Sequence, residues 1–453
     1  MARVLPFVGT RYNPKATENL ASVMAPPYDV ISPEMQDVLH ERDPHNIVRL
    51  ILGKDQIEDD EYNNKYQRAA SLLKEWKSNG TLIDDPCKNF YIYQQEFRTP
   101  NGNVHVRTGV LAALKVERLD KGEGHVHGHE RTFEGPKADR LKLLRSTRCN
   151  LSPVFCLYPD SERETDALFK MVTEKEPPRA EFTDDDKVIH RLWLLSNSAK
   201  VKRLSDLLQD KDFVIADGHH RYETAVRYCE EMRRREGKTR EKLPPYAYTL
   251  AFLTNYDSDG LIILPTHRVL SAELGEGIDY DEIFEDLKGF FDVETVRLDL
   301  KKVRSESSAL IARLAEAGRT TPSFIMVLPG GKAYLLRLKK NAAIAEEMRS
   351  GIPELISRLD VTILHEYIIS NVWVGNPEIE LDDKDVFYVK DAVAALEMLK
   401  APTRASAVFL MNPPRMEQVQ AIASQNLRMP HKTTYFYPKL ITGMVLRDHS
   451  VPW

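Results

Sequence analysis

The stretch Phe213–Arg234 constrains the fold more than any other part of the chain. Four apolar residues, Phe213-Val214-Ile215-Ala216, run into Asp217-Gly218 and then into an amphipathic segment. This change from a short apolar run to a 3.6-residue period predicts a strand, a tight turn and a helix from about His219 to Arg234. Glycine at 218 can take a backbone conformation closed to most residues. The first amides of the helix point outward without partners inside it, where they can hold an anion. Arg221 adds a planar, permanently charged fork suited to phosphate. Gly218, His219, His220 and Arg221 thus form a candidate phosphate nest. Asp217 would repel a bare phosphate, which leaves it three roles: magnesium coordination, a catalytic carboxylate, or a cap on the turn. The competing reading is a capped strand–helix junction with exposed histidines.

The 453 residues correspond to about three average domains. Short apolar runs alternate with amphipathic segments, which predicts a mixed α/β (α+β) protein. The expected segments are 1–85, 86–272 and 273–453. In the first, Ser32-Pro33 reads as a helix start and Glu61–Trp76 as a helix stopped by Asn79-Gly80. In the second, Phe90–Phe97 and Val104–Val116 read as two strands across an Asn-Gly turn. In the third, Pro329-Gly330-Gly331 reads as a hairpin turn rather than a phosphate loop, since it lacks the Walker spacing. Val361–Ile369 reads as an amphipathic helix and the segment around Phe436 as a final strand.

Lys plus Arg number 63 against 68 Asp plus Glu, a net −5. That mild charge gives no general attraction to DNA or to an anionic membrane, so nucleic acid is an unexpected partner. No run approaches the ~20 apolar residues of a spanning helix. The start, MARVLPFVGT, lacks the apolar core of a secretory signal. Four dispersed cysteines without a C-x-x-C pattern complete the expectation of a cytoplasmic protein with reduced thiols.

Further candidates lie elsewhere. His125, His127, His129 and Glu130 alternate in a glycine-rich stretch, and histidine with carboxylate is possible zinc chemistry. Their spacing matches neither H-E-x-x-H nor a closed structural site. The same stretch reads alternatively as a ligand loop in which His129-Glu130, Lys137 and Asp139-Arg140 converge on phosphate or an alcohol, or as surface histidines without a specific role. His267-Arg268 follows another Asp-Gly turn. Near the C-terminus, HKTTYFYPKLITG brings Lys432, Thr433, Tyr435, Lys439 and Thr442, an alternation of aromatic and basic groups that can stack on bases or simply form a strand.

Taken together, APPYDVIS (25–32), HNIVRL (45–50), His129–Thr132 with Lys137–Arg140, ADGHHRYETA (216–225), DSDGLIILPTHR (257–268) and MPHKTTYFYPKLITG (429–443) resemble the family catalogued as domain of unknown function ten-fifteen. The resemblance spans essentially the whole chain. The Asp-Gly-His-His-Arg segment further resembles the ParB/sulfiredoxin superfamily and its archaeal free-serine kinases. That resemblance implies a nucleotide-binding and catalytic core at 86–272, with 1–85 packed on it and 273–453 as an added α/β unit. It implies nucleotide phosphates on Gly218, His219, His220 and Arg221, and magnesium binding or a catalytic role at Asp217. ATP or another nucleoside phosphate would be the donor and a small hydroxylated amino acid, free L-serine, the acceptor. His220 departs from the pattern, which has threonine there. On this reading Glu130 is the general base with His129 in reserve, and Lys137, Arg140, His267 and Arg268 contact substrate. A nucleotide-binding sensor or partition-like protein, and a metal-bound scaffold, are the alternatives.

Overall fold

The computed structural model describes all residues except 1–2, 100–101, 120–123, 131, 133, 238–242, 341, 349, 377, 380, 383, 402–403, 426, 431 and 452–453. Arg131 and His431 of the motifs above therefore lie outside the described residues. The chain forms two compact units of mixed α/β structure. Unit 1 comprises Met1–Gly128, Thr132–Ile262 and Pro438–Trp453, and unit 2 comprises His129–Arg131 and Ile263–Tyr437.

Unit 1 is built on a nine-stranded mixed sheet. Its strands are β1 (Val4–Leu5), β2 (Phe90–Arg98), β3 (Val104–Lys115), β4 (Val126–His127), β5 (Val154–Tyr158), β6 (Ala180–Thr183), β7 (Ile189–Leu195), β8 (Phe213–Asp217) and β9 (Tyr248–Asn255). They lie in the order β4-β8-β5-β9-β3-β2-β7-β6, with β1 pairing the last part of β3. β2 and β3 form the expected hairpin, in register from Tyr91↔Leu111 to Arg98↔Val104, around a turn with Gly102 at φ +86°. β5 and β9 are parallel neighbours, and every residue of both is buried. That matches their nearly continuous apolar sequence, because a strand covered on both faces has no reason to alternate.

Helices α1 (Pro33–Arg42), α2 (Lys65–Ser78), α3 (Glu134–Thr147) and α4 (His219–Glu236) belong to this unit. Ser32 caps α1 with proline at its start, as the sequence implies. Asn64 caps α2, which buries Ala69, Leu73 and Trp76. α3 packs on both α2 and α4. α4 turns Tyr222, Ala225 and Tyr228 into the core.

Residues from Pro438 onward return to unit 1 after the whole of Ile263–Tyr437. Thr442 exchanges backbone hydrogen bonds with Ala25, and Leu446 does so with Thr10. The buried Arg447 guanidinium donates to Tyr248 O (2.9 Å) and Asn150 Oδ1 (3.0 Å).

Unit 2 carries a six-stranded antiparallel sheet. Its strands are β10 (His267–Ser271), β11 (Phe291–Val296), β12 (Ser323–Val327), β13 (Ala333–Leu338), β14 (Val386–Val389) and β15 (Ala405–Met411), in the order β11-β13-β12-β15-β10-β14. Helices α5 (Val303–Gly318) and α6 (Ala392–Met398) supply Leu310, Leu314, Ala395 and Leu396 to a core with Val269, Ile325, Leu335 and Leu410. Pro329–Gly331 is the turn between β12 and β13, with Gly330 and Gly331 both at positive φ. One element differs from expectation: Ile363–Trp373 is a π-helix. Its apolar residues surround the axis rather than forming a stripe, and Glu366 and Ser370 are buried with them. A π-helix of this length is rare, since most occur as single-turn bulges within α-helices.

Among the described residues no helix is long and apolar enough to cross a membrane. The four cysteines are free thiols, three of them buried.

Candidate functional site

The turn that opened the sequence reading is present. β8 ends at Asp217, Gly218 lies at φ 88°, ψ 29°, and α4 begins at His219 without a side-chain cap. L-residues pay about 1–2 kcal/mol for this left-handed conformation, whereas glycine does not. The pairing of β8 with β5 slips between Ile215 and Asp217. Such a bulge re-aims the side chain that follows it.

Asp217 is held from two sides. Its Oδ2 accepts from Arg221 Nη2 at 2.7 Å, and its Oδ1 accepts from Lys439 Nζ. Arg221 also donates to the carbonyl of Pro153. The repulsion expected between Asp217 and phosphate is thereby offset by two cations. A second carboxylate, Asp29, stands in the same cluster. It keeps an exposed surface, yet lost hydration, followed by the Asp217 charge, raises its pKa against the pull of Arg221 and Lys439.

Beside the nest lies a chamber of about 60 Å³ whose lining includes Tyr28, Arg140, Leu143, Ser152, Arg221 and Thr224. The Arg140 guanidinium lies 4.1 Å from the centre of the Tyr28 ring and donates to Ile51 O (2.6 Å) and Asp139 Oδ2 (2.7 Å). Burial, then Asp29, pushes the Tyr28 hydroxyl up to about 12. Although burial opposes it, Arg140 and a hydrogen bond from Tyr66 keep Asp139 below its ordinary value. Lys137 pairs with Glu134 (2.7 Å) and Glu223 (3.3 Å), and Thr132 donates to Glu223 (2.7 Å).

Asp217, Gly218, His219, His220 and Arg221 adjoin along the turn, Arg140 lines the chamber with Arg221, and Lys137 is ion-paired with Glu134 and Glu223 in the same unit. His129, Glu130, His267 and Arg268 belong to unit 2. His129 is fully buried and shares a hydrogen bond with Thr434 Oγ1 (3.1 Å). Glu130 accepts from Lys432 N (3.1 Å). His267 is buried in β10 and accepts from Met411 N (3.2 Å). Burial, then Arg268, lowers its pKa to about 4. Arg268 is buried beside it, with its guanidinium 4.5 Å from the centre of the Tyr388 ring.

Two members of the unit 1 cluster, Tyr28 and Asp29, were not singled out in the sequence, although both sit inside the APPYDVIS motif; Lys439 was singled out, as a basic group of the C-terminal motif, without a geometry to join it to Asp217. Arg107 on β3 carried no signal. It is fully buried, donates to Gln95 Oε1 and Pro438 O, and lies 4.8 Å from the Phe155 ring. Burial draws its pKa down to about 10, opposed by Tyr93 and Asp217.

The donor set does not fit a resident metal ion. Both Asp217 oxygens are engaged by cationic side chains. Among the described residues no group of three or more His, Cys, Asp or Glu can hold a metal. His125 pairs instead with Asp212 at 2.6 Å.

The fold and site thus describe a two-unit α/β protein with a glycine-opened strand–helix turn flanked by cationic side chains. The chain belongs to the family described as "Protein of unknown function (DUF1015)", which it matches over residues 4–362. No curated protein matches it. Among solved structures it is similar to a free serine kinase in complex with AMP, at 14% identity and a TM-score of 0.31, covering 72% of this chain and 86% of that one. It is similar also to a conserved hypothetical protein from Pyrococcus furiosus, at 13% identity and a TM-score of 0.30, covering 73% and 92%. A third is C-terminally truncated SbnI from Staphylococcus aureus, at 8% identity and a TM-score of 0.34, covering 73% and 85%.

Proposed function

We propose that this protein is a nucleotide-dependent phosphotransferase acting on a small hydroxylated acceptor, with free L-serine as the first candidate. The observation that carries the reading is the left-handed Gly218 opening an uncapped 18-residue helix beside Arg221 and Lys439. A nest of amides and fixed cations at a helix start is suited to phosphate oxygens. In this proposal residues 86–272 form the ParB/sulfiredoxin-like core, with 1–85 packed on it.

Phosphoryl transfer needs little covalent chemistry from the protein, only alignment and charge neutralisation. The amides from Gly218 to Arg221 bind the donor phosphates. Asp217 acts as a positioning residue that fixes the Arg221 fork and Lys439 toward them. Arg140 and the chamber hold the acceptor. The acceptor oxygen forms a bond to phosphorus as the bond to the leaving phosphate breaks, and its proton passes to a carboxylate. No step is routed through a metal ion.

The test supplies ATP, ADP, CTP or GTP with magnesium to the full chain, alone or with free serine and a pool of small alcohols, and follows phosphorylated products. The expected result is O-phosphoserine with one donor. Nucleotide binding without any phosphorylated product rejects the transferase and leaves the sensor.

A further inference from the structure

We propose that unit 2 carries a second anion site, separate from the Gly218 turn, that binds a phosphate group through Arg268, Lys432 and Lys390 around Tyr388 and Tyr435. The inference is independent of the phosphotransferase reading, because its residues all belong to Ile263–Tyr437.

Arg268 is the starting point. It is only 2% exposed, and burial draws its pKa no lower than about 10, so it stays charged at neutral pH. Its Nη atoms donate to two carbonyls, those of Thr266 and Lys432, the latter at 3.4 Å. Among the described residues no carboxylate pairs with it, and its Nε is buried without a hydrogen-bond partner. A buried charge without a counter-charge is strongly unfavourable, and a bound anion removes the penalty.

Two further cations lie against Tyr388 and Tyr435. Arg268 and Tyr388 are cross-strand partners between β10 and β14. Tyr388 and Lys390 lie two residues apart, hence on one face as β14 ends. Lys432 Nζ lies 4.3 Å from the centre of the Tyr388 ring, and Lys390 Nζ lies 3.1 Å from Tyr435 Oη. Lys432 itself is held at φ +53°, a conformation that lysine rarely takes. Strain of this kind persists where the surroundings over-determine it and clusters at ligand sites.

Two sequence features that the turn at Gly218 does not use meet here, Thr266-His267-Arg268 and the basic–aromatic run from Lys432 to Tyr435. Cations from three separate segments surround a compact, multiply charged oxyanion better than a planar carboxylate, which favours phosphate.

Titration of the full chain with inorganic pyrophosphate, read by calorimetry and by thermal unfolding, tests this. Arg221→Gln serves as the background, so that binding at the Gly218 turn is suppressed. The expected result is retained binding there, weakened at least about tenfold by Lys432→Gly and by Lys390→Ala. Lys432→Gly also relieves the positive φ, so the variant is expected to fold. Binding unchanged in both variants overturns the proposal. So does loss of all pyrophosphate binding with Arg221→Gln alone, or no binding to the wild-type chain.

Discussion

Replacing Gly218 by alanine separates a backbone requirement from a contact requirement. At φ 88° an alanine is strained by about 1–2 kcal/mol. Its Cβ would also come within 3.0 Å of Cζ, Nε and Nη2 of Arg221. The guanidinium must shift by a few tenths of an ångström, which disturbs its bond to Asp217. Gly237, at the other end of α4, provides the control: it has φ 62°, and a Cβ there meets nothing within 4 Å. Both substitutions also lose unfolded-chain entropy by a similar amount, which offsets part of the strain equally. Gly237→Ala should therefore destabilise by about 1 kcal/mol and leave ligand binding intact. Gly218→Ala should lose a further ~1–2 kcal/mol from the disturbed pair, and bind nucleotide at least about tenfold more weakly, equivalent to about 1.4 kcal/mol. Urea unfolding and titration calorimetry measure the two effects. Equal destabilisation by both substitutions, with nucleotide affinity unchanged in each, would refute the argument that Gly218 is needed for its approach to Arg221.

Two other predictions concern the folding of each unit. His267 is buried in neutral form, with its pKa lowered to about 4 from 6.5. The unfolded chain binds the additional proton, so the stabilisation is present above about pH 6.5 and is lost as pH falls toward 4. The loss is on the order of 2–3 kcal/mol; urea midpoints from pH 7 to 4 should show it, and His267→Gln should flatten that slope. Gly260→Ala would place a Cβ 2.0 Å from Val106 O, a backbone atom that cannot swing aside. It should cost more than about 3 kcal/mol, and an alanine variant with an unchanged urea midpoint would contradict the close approach.

The strand–turn–helix at Phe213–Glu236 was readable because its evidence is local: a change of hydrophobic period and one glycine between. The β2–β3 hairpin and the β12–β13 turn were readable for the same reason. What the sequence hid is set by distance along the chain. Asp217 and Lys439 are ion-paired across 222 positions, and nothing in either local pattern names the other. Asp29 stands in a short proline-containing stretch with no period of its own, so nothing local marks its charge as part of a site. The π-helix escaped because the apolar spacing from Val361 to Ile369 indicates a helix without distinguishing how tightly it is wound. Arg107 sits in the mixed Val104–Thr108 part of a strand, beside the exposed Val106 and the half-buried Thr108, and a single basic residue there reads as surface until its burial is seen.

The late return of Pro438 to unit 1 carries a consequence for synthesis. Lys439, Thr442 and Arg447 emerge only after the 175 residues from Ile263 to Tyr437 have been translated. At about 5–20 residues per second, that interval is on the order of ten to thirty seconds. Throughout it the nascent first unit holds Asp217 without Lys439, and Asn150 and Tyr248 without the Arg447 guanidinium. Unit 2, whose strands all lie within the intervening stretch, can complete its sheet first. The unit translated first is thus the last to be finished, and the same ion pair that orders the Gly218 turn marks its completion.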